Sequence, residues 1–457
     1  YDSLPDLPQM TENVRYDGSL KASVILKDLA PFVPALSRFE EPLDLNLVFS
    51  GHGKHLDCPT LQLANHHGLM IAGEAALSNW DAGMDMYIYG KLGNLIMTKE
   101  GINVLMTNLT GKVPPILQRL DYIRFNGEAA GYLHDLTLTG LFHTGAGMVK
   151  TDVMMSIDEQ SMSRTYSGSV ASADLDLGKL LNQEKKFGKV DFNVELKGFN
   201  YKNRYPESYI KGIISSFEYS QYQYENIMLD GVYKDGGFNG RLSMDDANGS
   251  VQIDGNFNVA KTIPDFNLKA SVKNLRPHDL HLSDKYENAS ISLGLTADFT
   301  GKSIDDMNGR ISLDSLQLNA PDEGGCFLDN LTITAGQVSG EKELRINSSF
   351  MTAVIRGDYS YHTIPASVVK TVQRYIPSLL TIKDNMPEPH NNFQFDICLE
   401  NAEVLSKLFQ IPLELYLPAS LKGYFNDGEE KLHVEGHFPE FRYNGTRYDS
   451  GVLFCEN

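Results

Sequence analysis

Twelve histidines and four cysteines are the first residues to question for chemistry. His52 and His55 stand at i, i+3 beside Asp57, and His66-His67 precede Gly68. Zinc requires three or four ligands converging on a tetrahedron; neither pair lies on a helix that would present both rings to one side, and no further ligand follows at zinc-like spacing. Because His52 and His55 flank a Gly turn, they are expected to be exposed loop histidines. The acidic stretches Asp245-Asp246, Asp305-Asp306 and Asp427-Gly428-Glu429-Glu430 fall in predicted turns. None matches the twelve-residue calcium loop with its terminal Glu, so they read as solvated turns. Cys58, Cys326, Cys398 and Cys455 are far apart, with no Cys-x-x-Cys pair, which is neither a disulfide scaffold nor a zinc site. The sequence has no nucleophile elbow, no phosphate loop and no dinucleotide fingerprint; Gly145-Ala146-Gly147 sits between two strands and reads as a hairpin turn. Acid pairs for glycoside chemistry could arise wherever strands converge, but no pair stands out. The expectation is a chain that is not an enzyme and needs no metal and no cofactor.

The elements that carry these residues are far more informative. Leu43-Asp44-Leu45-Asn46-Leu47, Val190-Asp191-Phe192-Asn193-Val194-Glu195-Leu196 and Ile291-Ser292-Leu293-Gly294-Leu295 each place an apolar side chain on every second residue. A strand points successive side chains to opposite faces, so one face is apolar and the other polar. The pattern recurs almost without a break from Tyr16 to Cys455, with turns such as Asp235-Gly236-Gly237, Ala247-Asn248-Gly249 and Asn426-Asp427-Gly428 between strands. Tight turns at this spacing indicate antiparallel meanders rather than βαβ crossovers. About 35 strands at roughly 4.8 Å each are expected.

A looser repeat overlies the strands: a strand, a short apolar segment, then another strand. Ser23–Leu36, Ser169–Leu181, Ala270–Leu280 and Phe393–Phe409 are its copies, which suggests units near residues 16–168, 169–269, 270–392 and 393–457 of one continuous body. Lys99–Asn108, Pro114–Arg119 and Ser367–Tyr375 are short helical candidates. They would either plug an open end of the sheet or line and gate an apolar channel. Tyr219-Ser220-Gln221-Tyr222-Gln223-Tyr224 reads as a packed cross-strand ladder, with a carbohydrate or headgroup platform as the alternative. Six Asn-x-Ser/Thr sequons (Asn108, Asn248, Asn288, Asn330, Asn347, Asn444) are weak evidence for a eukaryotic secretory origin, since several arise by chance in a chain so rich in Asn, Ser and Thr.

The net charge of −19 excludes the basic stripe expected of a nucleic-acid binder and the polybasic patch expected of an anionic-membrane binder. A hydrophobic content of 42 % in 457 residues suits an elongated body better than a large compact core. No apolar run is long enough for a membrane-spanning helix. The chain starts at Tyr1 and ends within a strand pattern at Gly451–Asn457, as expected of a segment of a longer protein.

In its pattern the sequence resembles the TamB branch of the AsmA-like family, repetitive β-groove proteins of the Gram-negative envelope grouped with bridge-like lipid-transfer proteins. The residues that carry the likeness are Leu175-Asp176-Leu177-Gly178-Lys179-Leu180-Leu181, then Phe187-Gly188-Lys189-Val190 leading into a strand that closes on Gly198; Asn274-Leu275-Arg276-Pro277 and Asp28-Leu29-Ala30-Pro31 look like further copies. The resemblance implies an all-β fold: an elongated, twisted, mostly antiparallel sheet curled into a U-shaped hydrophobic groove, with a few short helices. It also implies a periplasmic conduit for phospholipid acyl chains between the inner and outer membranes. An inner-membrane anchor and an outer-membrane barrel partner would be engaged by regions outside this segment. The expected groove lining is Leu43, Leu45, Leu47, Val190, Phe192, Val194, Leu196, Val251, Ile253, Ile291, Leu293, Leu295, Ile311, Leu313, Leu331 and Ile333. Two other readings stand beside this one: a structural or chaperone-like module that pairs through an edge strand, and a parallel β-helix or adhesin repeat.

Overall fold

The structure, a computed structural model, describes residues 14–29, 37–80, 82–158, 160–161, 163–200, 207–284, 287–321, 324–364, 367, 391–409, 411–429 and 431–456. The fold is all-β: twenty-five strands of antiparallel sheet and four short α-helices among the described residues. Every described strand pairing is antiparallel, which excludes the parallel β-helix. The strands are fewer than sequence spacing suggested because most run ten to fourteen residues. The chain divides into two compact units, Tyr1–Asp235 and Gly236–Asn457.

The first unit holds β1 (Arg15–Ile25), β2 (Pro42–His52), β3 (His55–Ala64), β4 (Leu69–Ser78), β5 (Tyr87–Thr98), β6 (Tyr122–Tyr132), β7 (Asp135–Thr144), β8 (Gly147–Ile157), β9 (Arg164–Asp176), β10 (Phe187–Asn200), β11 (Glu207–Tyr219) and β12 (Tyr222–Lys234). They pair in chain order. Its helices are α1 (Lys99–Thr110), α2 (Pro115–Gln118) and α3 (Leu177–Leu181). The second unit holds β13 (Gly237–Asp246), β14 (Gly249–Asn258), β15 (Asp265–Leu275), β16 (Ser290–Thr300), β17 (Asn308–Asn319), β18 (Cys326–Val338), β19 (Glu341–Ser348), β20 (Met351–Asp358), β21 (Asn392–Leu399), β22 (Leu413–Leu415), β23 (Ala419–Asn426), β24 (Lys431–Tyr443) and β25 (Thr446–Glu456), with α4 (Glu403–Phe409). Order is again sequential, except that β21 pairs with β23 and the short β22 pairs with β24.

A recurring device bends these strands. In β9, β15 and β17 two residues oppose one on the neighbouring strand, and in each bulge one residue has positive φ: Asp174 (55°), Asn274 (47°) and Ser315 (51°). An unpaired residue at a bulge kinks the strand and re-aims the side chain that follows. That side chain is a leucine each time: Leu175, Leu275 and Leu316. The first of these packs with α1 residue Ile102 and with Leu120, Ile123, Ala146 and Val190; Leu117 of α2 and Leu177 and Leu180 of α3 close over the same cluster. Leu316 packs with Leu328, Phe350 and Val404 of α4. The helices thus sit on the apolar phase of their own unit, a placement that the plug and the channel-lining expectations for Lys99–Asn108 and Pro114–Arg119 share. Ser367–Tyr375 lies, apart from Ser367, outside the described residues.

Three acidic turn residues are not the solvated groups that sequence suggested. Asp246 is buried and accepts from the Asn248 amide at 2.9 Å. Asp305 accepts from Ser360 Oγ and the Tyr361 amide. Asp427 accepts from Ser367 Oγ and from the amide of the fully buried Asn391. Asp246 closes its own hairpin turn, while the half-buried Asp305 and Asp427 each bond a loop distant in sequence; carboxylates withdrawn from water persist when partnered in this way.

Candidate functional site

Directly opposed residues of an antiparallel ladder share a face, so register identifies continuous rows of side chains. In the first unit one row runs Ala22, Leu45, Leu63, Ile71, Leu95, Phe125, Phe142, Val149, Ser172, Phe192, Ile214, Ile227 across β1–β12. Its single polar member, Ser172, turns its hydroxyl to the Val190 carbonyl at 3.1 Å. The next row runs Leu20, Leu47, Leu61, Gly73, Leu92, Gly127, Gly140, Thr151, Val170, Val194, Gly212, Leu229, again without a charge. Gly127 and Gly140 are small because the Phe125 ring lies over both; a Cβ on Gly140 would stand 2.4 Å from that ring.

The second unit repeats the arrangement. Gly240, Gly255, Leu268, Ala297, Ile311, Ile333, Ile346, Ala353, Ile397, Leu421, Gly436 and Leu453 form one row. Phe238, Phe257, Phe266, Phe299, Gly309, Ala335, Leu344, Ile355, Phe395, Gly423, Val434 and Cys455 form its neighbour. Eleven strand spacings of roughly 4.8 Å carry each row about 50 Å within its unit.

The opposite phase carries the charges, with exposed apolar residues such as Ile213 and Met228 among them. Glu74, Lys91, Glu128, Thr139, Asp152, Ser169, Glu195, Lys211 and Asp230 follow one another across β4–β12. Arg241, Asp254, Lys269, Thr296, Ser312, Thr332 and Asn347 do the same across β13–β19. Exposed pairs such as Arg241–Asp254 (2.7 Å) and Lys211–Asp230 (3.5 Å) contribute little to stability but keep this face wetted. The Arg241 guanidinium holds the Asp254 carboxyl below its ordinary range.

All sixteen expected lining residues fall on the apolar phase. Leu43 and Val190 are buried and the other fourteen are half-buried. The structure separates them into two groups. Val190, Phe192, Ile291, Leu293, Leu331 and Ile333 belong to the packed clusters. Leu45, Leu47, Val194, Leu196, Val251, Ile253, Leu295, Ile311 and Leu313 stand outside those clusters and line the half-open rows; Leu43, also outside, is covered where β2 begins. A cavity of about 720 Å³ lies against β1–β4, bordered by Ala22, Leu45, Leu63 and Ile71 with Lys21, Asn46 and Gln62. Sequence reading missed Leu63, Ile71, Leu95, Phe125, Phe142 and the four-phenylalanine run of β13–β16. Their strands do alternate, but Gly and Ala at apolar-phase positions dilute the signal.

His52 and His55 are strand residues opposed across the β2–β3 turn, not loop histidines. The His55 ring lies 2.7 Å from Ser78 Oγ through Nδ1 and 2.9 Å from Asp57 Oδ2 through Nε2, in a water-exposed chain on the polar phase. Among the described residues no group of three His, Cys, Asp or Glu could hold a metal. The four cysteines are free thiols, and burial pushes those of Cys58 and Cys326 up. The tyrosine segment is the expected ladder: Tyr219 opposes Tyr222, Phe217 opposes Tyr224, and the Tyr222 and Tyr224 rings meet edge-on at 4.8 Å. No helix among the described residues is long and apolar enough to cross a membrane.

No family model, no curated protein and no solved structure matches this chain.

Proposed function

We propose that this segment is part of a periplasmic bridge-like conduit that carries phospholipids between inner and outer membranes, with acyl chains lying on the apolar rows and headgroups in water at the rim. The observation that carries the reading is the register of the strands: two neighbouring rows in each unit stay free of charge over twelve successive strands. A ligand that needs continuous apolar contact and no specific polar partner fits such a surface. Each buried methylene contributes roughly 0.8 kcal/mol, which offsets the cost of leaving the bilayer without any catalytic group. Kinship with the TamB branch, the inner-membrane anchor and the outer-membrane barrel partner belong to the same proposal and rest on the residue pattern of Leu175–Gly198.

The test is mass spectrometry of lipids retained by the purified segment, with photo-crosslinkable residues placed at Leu47 and Ile311. Co-purifying phospholipid crosslinked at both positions is the expected result. A lipid-free preparation that takes up no lipid from vesicles would refute the reading.

One observation favours a second reading, an assembly module that works through edge pairing. Among the described residues β25 pairs with β24 alone, and Val452 and Phe454 on it are 75 % and 62 % exposed. Long apolar edges of this kind are templates for strand addition. On that reading, function would survive charges in the rows and fail when Val452 is replaced by proline.

A further inference from the structure

The first turn of α1 is held in an unusual way. The β3–β4 turn presents His67 between two carboxylates from different elements: Nδ1 lies 2.7 Å from Glu100 Oε1 in α1, and Nε2 contacts Glu41 Oε2 just ahead of β2. The turn itself is fixed by Asn65, whose Oδ1 accepts from the His67 and Leu69 amides at 3.0 and 2.8 Å. Thr98, the N-cap of α1, is stitched to the same turn: its hydroxyl donates to the His67 carbonyl at 2.8 Å and accepts from the Gly101 amide at 3.2 Å. Glu41 and Glu100 are the charged groups facing the ring, and His66 is its titratable neighbour within the turn; the charge of Lys99 is felt at Asp121 instead.

A neutral imidazole donates from one nitrogen only and would set its other lone pair against a carboxylate; the imidazolium donates from both. The clasp is therefore complete only when His67 is protonated. Two residues beyond Glu100 in the same first turn of α1, Ile102 is 1 % exposed and packs in the cluster of Ile123, Leu175 and Val190. We propose that His67 is a proton-operated clasp on α1, and that opening it bares the apolar face beneath Ile102. The consequence for ligand access rests on the lipid reading above; the clasp itself does not. The two carboxylates raise the His67 pKa above its ordinary value. The stabilisation is thus fully present below the unfolded-state value and is lost as pH rises through the raised one.

The test is hydrogen exchange of residues 99–110 in the full chain between about pH 5.5 and about pH 8.5, corrected for intrinsic exchange, on either side of the ordinary histidine range. The expected result is several-fold more opening at the higher pH, with His67→Gln open to the high-pH extent throughout. Protection that does not change with pH, or pH dependence that persists in His67→Gln, overturns the clasp. Binding of cis-parinaric acid is measured in parallel and should strengthen as α1 opens. Equal binding in both states overturns the gating half of the inference. Binding in neither state, with the exchange result intact, upholds the clasp and overturns the lipid reading.

Discussion

Val194 and Phe192 are two residues apart on one face of β10, and the structure gives them opposite fates when replaced by glutamate. Phe192 opposes Ser172 and Ile214 and packs against the cluster closed by Ile102 of α1. Removing a packed phenylalanine costs about 3–5 kcal/mol, and a carboxylate placed in the same site adds an unpaired charge. Phe192→Glu should therefore unfold the first unit or nearly so. Val194 opposes Val170 and Gly212, belongs to no packed cluster and is half open to solvent. Val194→Glu should cost only about 1 kcal/mol, the span of strand preferences in a host sheet. Its effect on a bound acyl chain should be much larger. A hydrated carboxylate keeps its strand crossing wet, and loss of roughly four methylene contacts at about 0.8 kcal/mol each is about 3 kcal/mol, or about 200-fold in affinity. Urea melts of both variants, with titration of an acyl probe into Val194→Glu, measure the two quantities. If Val194→Glu unfolds as readily as Phe192→Glu, the apolar phase is a closed core and the reasoning fails. If it folds and binds the probe as tightly as wild type, acyl chains do not lie there.

Phe425, 2 % exposed with its ring 5.7 Å from that of Phe393, anchors the second unit, so Phe425→Ala should lower that unit's stability by about 3–5 kcal/mol and shift its urea midpoint accordingly. Asn274 holds a bulge at a φ of 47°; Asn274→Gly should be close to neutral, whereas Asn274→Val should cost about 1–2 kcal/mol in the same melt. Glu343 is buried against Arg345 and Arg356, and the Arg356 guanidinium holds its carboxyl below the ordinary value. A lowered carboxylate gives stability that is present above its unfolded pKa and lost as pH falls through the folded one. Glu343→Gln should therefore be less stable at neutral pH and less sensitive to acid below about pH 4.3, read from thermal melts across that range.

How much of this was legible in the residues depends on what each signal encodes. Alternation encodes which phase a side chain takes, and the sixteen residues it singled out, from Leu43 to Ile333, do share the apolar phase. It cannot encode which of them a helix will cover, because Ile102, Leu117 and Val404 meet the sheet through chain closure and not through strand period; hence Phe192 and Val194 looked alike. Two of the four copies of the loose repeat, Ser169–Leu181 and Ala270–Leu280, share a physical feature. Ala173-Asp174-Leu175 and Lys273-Asn274-Leu275 are matching bulges, each aiming a leucine, while Asp314-Ser315-Leu316 escaped notice because Ser gives no turn signal there. The acids of Asp246, Asp305 and Asp427 were misread because a turn residue's exposure depends on the loop folded over it, which local composition does not report.

The uncovered rows invite an argument from cost. The described helices α1–α4 pack onto a few strands, and the clusters they close already contain the fully buried side chains Ile102 and Leu328. Stability alone would not require Leu47, Val194, Val251, Leu295 or Ile311 to be apolar: half-buried positions of a two-sided antiparallel sheet accept threonine, as the polar phase does at Thr296 and Thr332. Apolar area left in water forgoes about 25 cal/mol per Å² and invites aggregation. In both units the strand register nevertheless extends that area unbroken across neighbouring strands, with glycines where a ring must lie flat. A surface that accepts this cost at Leu47, Val194, Val251, Leu295 and Ile311 while carrying its charges on the other phase is the kind a non-polar ligand would keep covered. The lipid-retention measurement is therefore the decisive one.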